Sequence, residues 1–401
     1  PPELGYRVDI QAVLQGSGNW IGGWSGRLYL KGQSVALTPE NIPRLPRVTQ
    51  LAGVADVRGW VDIRLGRLQS VIAEFDIHGL QVTGDDAGDA MDFDRLGGQV
   101  GWRLRKSGWQ LAGQNLVIEQ DGVVREGTVF AVTEDDSGAE PRITAGINRL
   151  NLQDLRLLAL LAPGVDPEQR RELATLQPEG MIEDMVLHIS GPAGARELAG
   201  FDAVFRDVGF GTAGRSPVVR QLQGSITGTP RAGALWLNSR QASVQDDALF
   251  RDVLSFDAIE GEAAWNSRQG LFTISSDNLR IANDDLELQA RVTVAVPETG
   301  GSPIVDLDAD FVRGKLRRIR HYLPARVMPQ SGVRWLDSSL VSGEIEQGSI
   351  VVQGRLDQLP YDNGEGVLRV SLPVKNATLD YSPDWTQVIR LDADVNFTGR
   401  S

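Results

Sequence analysis

Cysteine is absent from the 401 residues. That removes disulfide frameworks, thiolate metal sites and cysteine nucleophiles together, and it fits an export compartment as well as a cytosol. Histidine is nearly as scarce: His78, His188 and His321 are the full set, and no two share a metal-ligand spacing. Positive charge is in deficit, 40 Lys plus Arg against 53 Asp plus Glu, for a formal net charge of −13. Such a surface repels phosphate backbones, so nucleic acid is not an expected partner. No run reaches the ~18 apolar residues of a membrane span. The patterns G-x-S-x-G, H-E-x-x-H, the Walker loop and G-x-G-x-x-G are all missing, so no catalytic residue, metal or cofactor is expected and the chain reads as a non-enzyme. It starts at Pro1 and stops at FTGRS in mid-pattern. It therefore reads as a piece of a longer protein, with any targeting segment or anchor outside it.

What is abundant is alternation. Along IVDLDADF (304–311), Val305, Leu307, Ala309 and Phe311 share one side and Asp306, Asp308 and Asp310 the other. LELQARVTVAV (286–296) and IRLDADVNF (389–397) do the same. Period two is the mark of a strand with one dry and one wet face. Clusters such as GDDAGD, EDDSG, NSRQG, ETGGSP and DNGEG separate these runs, which predicts antiparallel meanders with short turns.

A second order lies above the strands. LGGQVGW (96–102) reappears as IEGEAAW (259–265), and the same step of 163 residues carries Phe93 to Phe256, Asn115-Leu116 to Asn278-Leu279, Gly180 to Gly343 and Gly191 to Gly354. VVRQLQGSITG (218–228) echoes QVIRLDADVNFTG (387–399) at a step of 169, the excess being an insertion near 361–366. Fixed spacing over most of a unit indicates tandem duplication and an elongated, open-ended object. Each unit also carries a helix pair, DLRLLALL (154–161) with DPEQRRELATL (166–176), then KLRRIRHYL (315–323) with PQSGVRWLDSSL (329–340). Asp166 reads as an N-cap and Pro167 as the first helical residue. The expected division is a partial N-terminal repeat with a short helical segment at 1–58, a first repeat at 59–202, a second at 203–365 and the start of another at 366–401. With roughly ten strands per unit, the piece would hold about 25.

Candidate chemistry is thin. Asp306, Asp308 and Asp310 copy the first ligands of an EF-hand, but Phe311 stands where glycine is needed and Arg317 where the bidentate glutamate belongs. The pairs Asp85-Asp86, Asp135-Asp136, Asp246-Asp247 and Asp284-Asp285 sit at turns, where aspartate solvates backbone without a metal. His188 falls on the polar side of a strand pattern and His321 on a wet helix face. Trp102, Trp109, Trp236 and Trp265 sit beside glycines, and repeat-locked tryptophan more often fills a structural slot than stacks on a sugar. The apolar stripe itself remains. Periodicity favours a closed core, while a sheet curled around an unfilled groove is equally permitted by the repeat.

The run from Tyr322 to Gly399 resembles the central region of the YhdP branch of the AsmA-like, bridge-like lipid-transfer family. Its marks are Leu323-Pro324, Trp335-Leu336-Asp337, the glycine-bounded strand from Gly343, and Ala377-Thr378-Leu379-Asp380-Tyr381 before Trp385. Gly59-Trp60-Val61-Asp62 and FDAVFRDVGF (201–210) fit the same pattern. The resemblance implies a mostly β fold: a long, twisted antiparallel sheet curled into a taco-like apolar groove, with short helix pairs once per repeat. It implies phospholipid acyl chains as partners and movement between inner and outer membranes. The setting would be the periplasm, with anchoring in the inner membrane by a segment missing here. The groove lining would then be Leu286, Leu288, Val292, Val294, Val305, Leu307, Phe311, Val352, Leu391, Val395 and Phe397. Leu157, Leu158, Leu161, Leu323, Trp335 and Leu336 would belong to helices capping the groove. The alternative is an envelope scaffold or a TamB-like factor assisting outer-membrane protein assembly.

Overall fold

The structure, a computed structural model, describes residues 7–16, 23–38, 48–84, 90–155, 159, 167–211, 217–361, 363–382 and 384–398. It is mostly β, and its 22 strands belong to one sheet. The first nine are β1 (Arg7–Gln15), β2 (Ser25–Ala36), β3 (Val48–Arg64), β4 (Arg67–Gly84), β5 (Ala90–Leu104), β6 (Trp109–Gln120), β7 (Val123–Asp135), β8 (Arg142–Asn151) and β9 (Glu179–Ser190). Then come β10 (Glu197–Phe210), β11 (Val218–Thr229), β12 (Ala232–Ser239), β13 (Ala242–Gln245), β14 (Leu254–Phe256), β15 (Ala258–Arg268) and β16 (Leu271–Ala282). The last six are β17 (Leu286–Pro297), β18 (Ile304–Lys315), β19 (Leu340–Ile345), β20 (Gly348–Arg355), β21 (Val367–Leu379) and β22 (Val388–Thr398). The three runs with the cleanest alternation became β17, β18 and β22.

Two compact units emerge, residues 1–175 with 181–203 and residues 176–180 with 204–401. In the first, β1 through β9 pair in chain order, each antiparallel to the next. In the second, β15 to β18 form a meander continued by β20, β21 and β22. Consecutive antiparallel pairing follows from short turns, since two-residue connections cannot reach a parallel partner.

Bulges interrupt the ladders at repeating places. Gly98 and Gly261, 163 residues apart, both adopt φ near +150° inside register shifts of the β5–β6 and β15–β16 pairs. A Cβ at either would stand about 3 Å from the Cα of Leu116 or Leu279 on the neighbouring strand, again 163 apart. Only glycine tolerates that approach. The left-handed residues Asp207 and Gln221 recur as Asn376 and Arg390, the 169 step. Bulges bend strands and increase twist, the means by which a sheet curves.

Helices are few among the described residues: α1 (Pro167–Leu176), α2 (Gln330–Ser339) and 3₁₀ turns at Leu152–Asp154, Leu316–His321 and Leu356–Gln358. KLRRIRHYL, expected as a helix over 315–323, is a 3₁₀ helix of six residues followed by turns. Pro167 does open α1. Asp166, Leu157, Leu158 and Leu161 lie outside the described residues, as do Asp85-Asp86. Within 1–58, where a short helical segment is expected, residues 1–6, 17–22 and 39–47 lie outside the described residues and Val48–Arg64 is strand.

Candidate functional site: ladders of apolar residues on one sheet face

Register turns the stripes of single strands into rows that cross many strands. In the first unit Ala12, Leu28, Val61, Val71, Trp102, Leu111, Val132, Ala145 and Leu187 stand opposite one another from β1 to β9. One residue further on, the row is Arg27, Asp62, Ser70, Arg103, Gln110, Thr133, Thr144 and His188. Adjacent positions point to opposite faces, so one face is hydrocarbon and the other polar. His188 belongs to the polar row. Ion pairs lace that side: Arg27 Nε to Asp62 at 2.8 Å and Arg95 Nε to Asp76 at 2.7 Å. Each arginine holds its aspartate below the usual carboxylate range, chiefly through the hydrogen bond.

The second unit repeats the design. Leu279, Ala290, Ala309, Ile350, Val370 and Phe397 form one row across β16, β17, β18, β20, β21 and β22. Val292, Leu307, Val352 and Leu368 form the next, and Trp265, Ile274, Val294 and Val305 a third. Gln289, Asp310, Ser349, Ser371 and Asn396 line the reverse face. Trp265 covers Gly228 and Gly233, where a Cβ would collide with its ring, and its Nε1 donates to the Thr229 carbonyl at 3.2 Å. It fills a slot in the sheet.

The expected lining residues therefore share a face, but their burial differs along it. Leu286 and Phe311 are buried with Leu316, Ile345, Val374 and Ala377, and Leu288 and Leu391 pack against that cluster. Val292, Val294, Val305, Leu307 and Val352 are only half-buried. Val395 and Phe397, on β22, are 49% and 52% exposed. The face thus passes from a buried cluster to hydrocarbon side chains partly in water.

The capping residues fare unevenly. Leu323 and Leu336 are half-buried, but Trp335 is 47% exposed, with its Nε1 donating to the Tyr381 carbonyl at 3.3 Å. The side chains that do cover the face were not singled out from the sequence: Leu316 is buried in the cluster, and Ile319 and Tyr322 pack onto it. Their i, i+3 and i+6 spacing was the available signal, because a 3₁₀ helix has three residues per turn. His321 keeps 34% of its side chain exposed, with its Nδ1 2.8 Å from Asp252 Oδ2.

That segment is fastened by groups distant in sequence. Arg251 donates to both carboxylate oxygens of Asp337 at 2.6 and 3.0 Å and to the Arg320 carbonyl at 2.8 Å. Asn283 donates to the Tyr322 hydroxyl at 2.7 Å, and burial pushes that phenol above its ordinary range.

Other sites are poor. Among the described residues no three His, Asp or Glu side chains gather as a metal site. Two shallow hollows of about 480 and 380 Å³ open on the charged side. In the larger, Arg280 already bridges Glu260 and Glu287 at 3.0 and 2.9 Å.

The chain is 22% identical over 388 residues to the intermembrane phospholipid transporter YhdP of Escherichia coli (strain K12), an alignment covering 93% of this chain and 30% of that protein. The chain thus spans about a third of the length of that relative. No solved structure matches. The family described as YhdP protein matches residues 6–401, and with that span nearly the whole of this chain belongs to the YhdP family.

Proposed function

We propose that this chain is a section of a periplasmic, bridge-like conduit along which phospholipids pass between the inner and outer membranes. Acyl chains travel on the apolar rows, and headgroups stay toward solvent. The observation that carries this is the register: rows of hydrocarbon side chains four to nine strands wide, unbroken by charge, with a polar row behind them. The E. coli relative is named an intermembrane phospholipid transporter, which supports the cargo class. The work is transport, with no bond made or broken.

The energetics suit such a surface. Exposing a 16-carbon chain to water costs on the order of 12 kcal/mol, at ~0.8 kcal/mol per CH₂. A continuous apolar track removes most of that barrier. Uniform aliphatic lining (Val292, Val294, Val305, Leu307, Val352) also avoids deep wells in which a lipid would stall. Leu286, Leu288, Phe311, Leu391, Val395 and Phe397 extend the track. Leu323, Trp335 and Leu336 cap it, while Leu157, Leu158 and Leu161 fall outside the described residues. Contact with the two membranes is made by regions outside this chain, and no described helix is long and apolar enough to cross one.

The test is photo-crosslinking in cells, with the probe at Val292, Leu307 or Val352 and, as controls, at Gln289 or Asp308 on the reverse face. Phospholipid adducts are expected at the first three and not at the controls. Adducts to proteins alone would replace the conduit with an assembly scaffold.

A further inference from the structure

We propose that the 3₁₀ helix Leu316–His321 is a headgroup station, at which Arg317 and Arg320 bind the phosphate of a phospholipid whose acyl chains lie on the adjoining apolar rows. This rests on the conduit reading above and locates where along the track a headgroup is held.

Charge distribution is the first observation. The chain carries a net −13, yet 313–326 contains six Lys or Arg in fourteen residues and no Asp or Glu. The second is the geometry of the helix. Three residues per turn give it three edges. Leu316, Ile319 and Tyr322 form the edge sunk into the apolar cluster. Arg318 and His321 form the second, paired with Asp285 at 3.4 Å and Asp252 at 2.8 Å. Arg317 and Arg320 form the third. Arg317 is exposed and Arg320 half-buried, and among the described residues the ion pairs of this helix are those of Arg318 and His321. Asp337, whose carboxyl feels the charge of Arg320, has both oxygens engaged by Arg251.

The third observation is adjacency. The Leu288–Phe311 pair joins the cluster under this helix to the open rows. A strand rises about 3.3 Å per residue, so Leu288 to Val294 measures about 20 Å, the reach of an ordinary extended acyl chain. A planar guanidinium fork matches phosphate oxygens. An amphiphile with a phosphate head and hydrocarbon tails fits this combination of groups; a free anion would leave the rows bare.

The test measures binding of an acyl-labelled phosphatidylglycerol and an acyl-labelled diacylglycerol, which shares the tails but lacks the phosphate, to the full chain. In Arg317→Ala/Arg320→Ala, phosphatidylglycerol should bind about tenfold more weakly, as expected for losing charge-assisted hydrogen bonds, with diacylglycerol binding unchanged. Arg317→Lys should keep most of the affinity, and Arg268→Ala, at an exposed arginine that ends β15, should keep all of it. Equal weakening of both lipids, or of neither, overturns the station while leaving the conduit standing. Failure of the unaltered chain to bind either lipid removes the conduit itself. Inorganic phosphate should not displace the labelled lipid, and displacement would overturn the assignment to a headgroup. Should the double variant lose its circular dichroism spectrum, Arg317→Glu alone on the exposed edge gives the same readings.

Discussion

The two units each follow a long strand with a short 3₁₀ turn, and the two turns are held down by opposite means. After β8, Asp154 turns inward and meets Arg125, Nη2 to Oδ1 at 2.6 Å, with side chains only 14% and 9% exposed. After β18, the corresponding turn presents Leu316 and Ile319 inward and cations outward. One copy is fastened by a buried ion pair, the other by hydrocarbon contact plus a half-exposed clasp. Duplicated sequence kept the position of the insertion and let its chemistry diverge. The second copy is thereby free to carry positive charge on its outer edges, while the first uses its charge internally.

The largest effect should come from breaking the buried pair. Arg125→Ala leaves Asp154 charged and unpartnered, and should destabilise the first unit by about 3–5 kcal/mol in urea unfolding. Burial pushes the Asp154 carboxyl above its ordinary range, with the Arg125 hydrogen bond pulling against it. The folded state therefore holds this proton more tightly than the unfolded chain. Its contribution is fully present below the unfolded value of about 3.9 and lost as pH rises through the folded one. The stability difference between the unaltered chain and Asp154→Asn should shrink accordingly as pH rises; a difference that grows would reverse the account. Next in size is Leu316→Ala, which should cost about 3 kcal/mol in the second unit by opening a cavity against Phe311 and Ile345. If Leu316→Ala costs less than 1 kcal/mol, hydrocarbon contact is not what fastens that turn.

Much of this was written in the strands themselves. Val305, Leu307 and Phe311 alternate with aspartates, and alternation survives any register, so face assignments were readable without coordinates. Rows were not. Whether Leu307 stands opposite Val292 or Ala290 depends on bulges such as the one between Glu287 and Leu288, which leave little local signal. Helices stand at Pro167–Leu176 and Gln330–Ser339, within runs that predict them, but the partners of the neighbouring turns come from afar: Arg125 lies 29 residues from Asp154, and Asp252 69 from His321. Nothing near His321 in sequence announces the acid it meets. Size is visible in a sequence and direction is not: Ile319 packs against the apolar cluster, while Trp335 is 47% exposed.

The smallest effect is the most discriminating between the two turns. Arg251 and Asp337 are 31% and 34% exposed, and the Arg251 hydrogen bonds hold the Asp337 carboxyl below its ordinary range against the opposing effect of burial. A depressed carboxylate contributes stability above its unfolded value, and that contribution is lost as pH falls through the folded one. Solvent screening limits such a pair to about 1 kcal/mol or less. Arg251→Ala should therefore leave global unfolding of the second unit nearly unchanged and speed amide exchange in α2 by no more than about fivefold at pH 7. The unaltered chain should approach the variant's exchange pattern as pH drops below 4. The opposite pH trends of Asp154 and Asp337 then separate a buried pair from a screened one within a single molecule. Equal trends would mean that burial does not distinguish the two insertions, and the contrast between them would collapse.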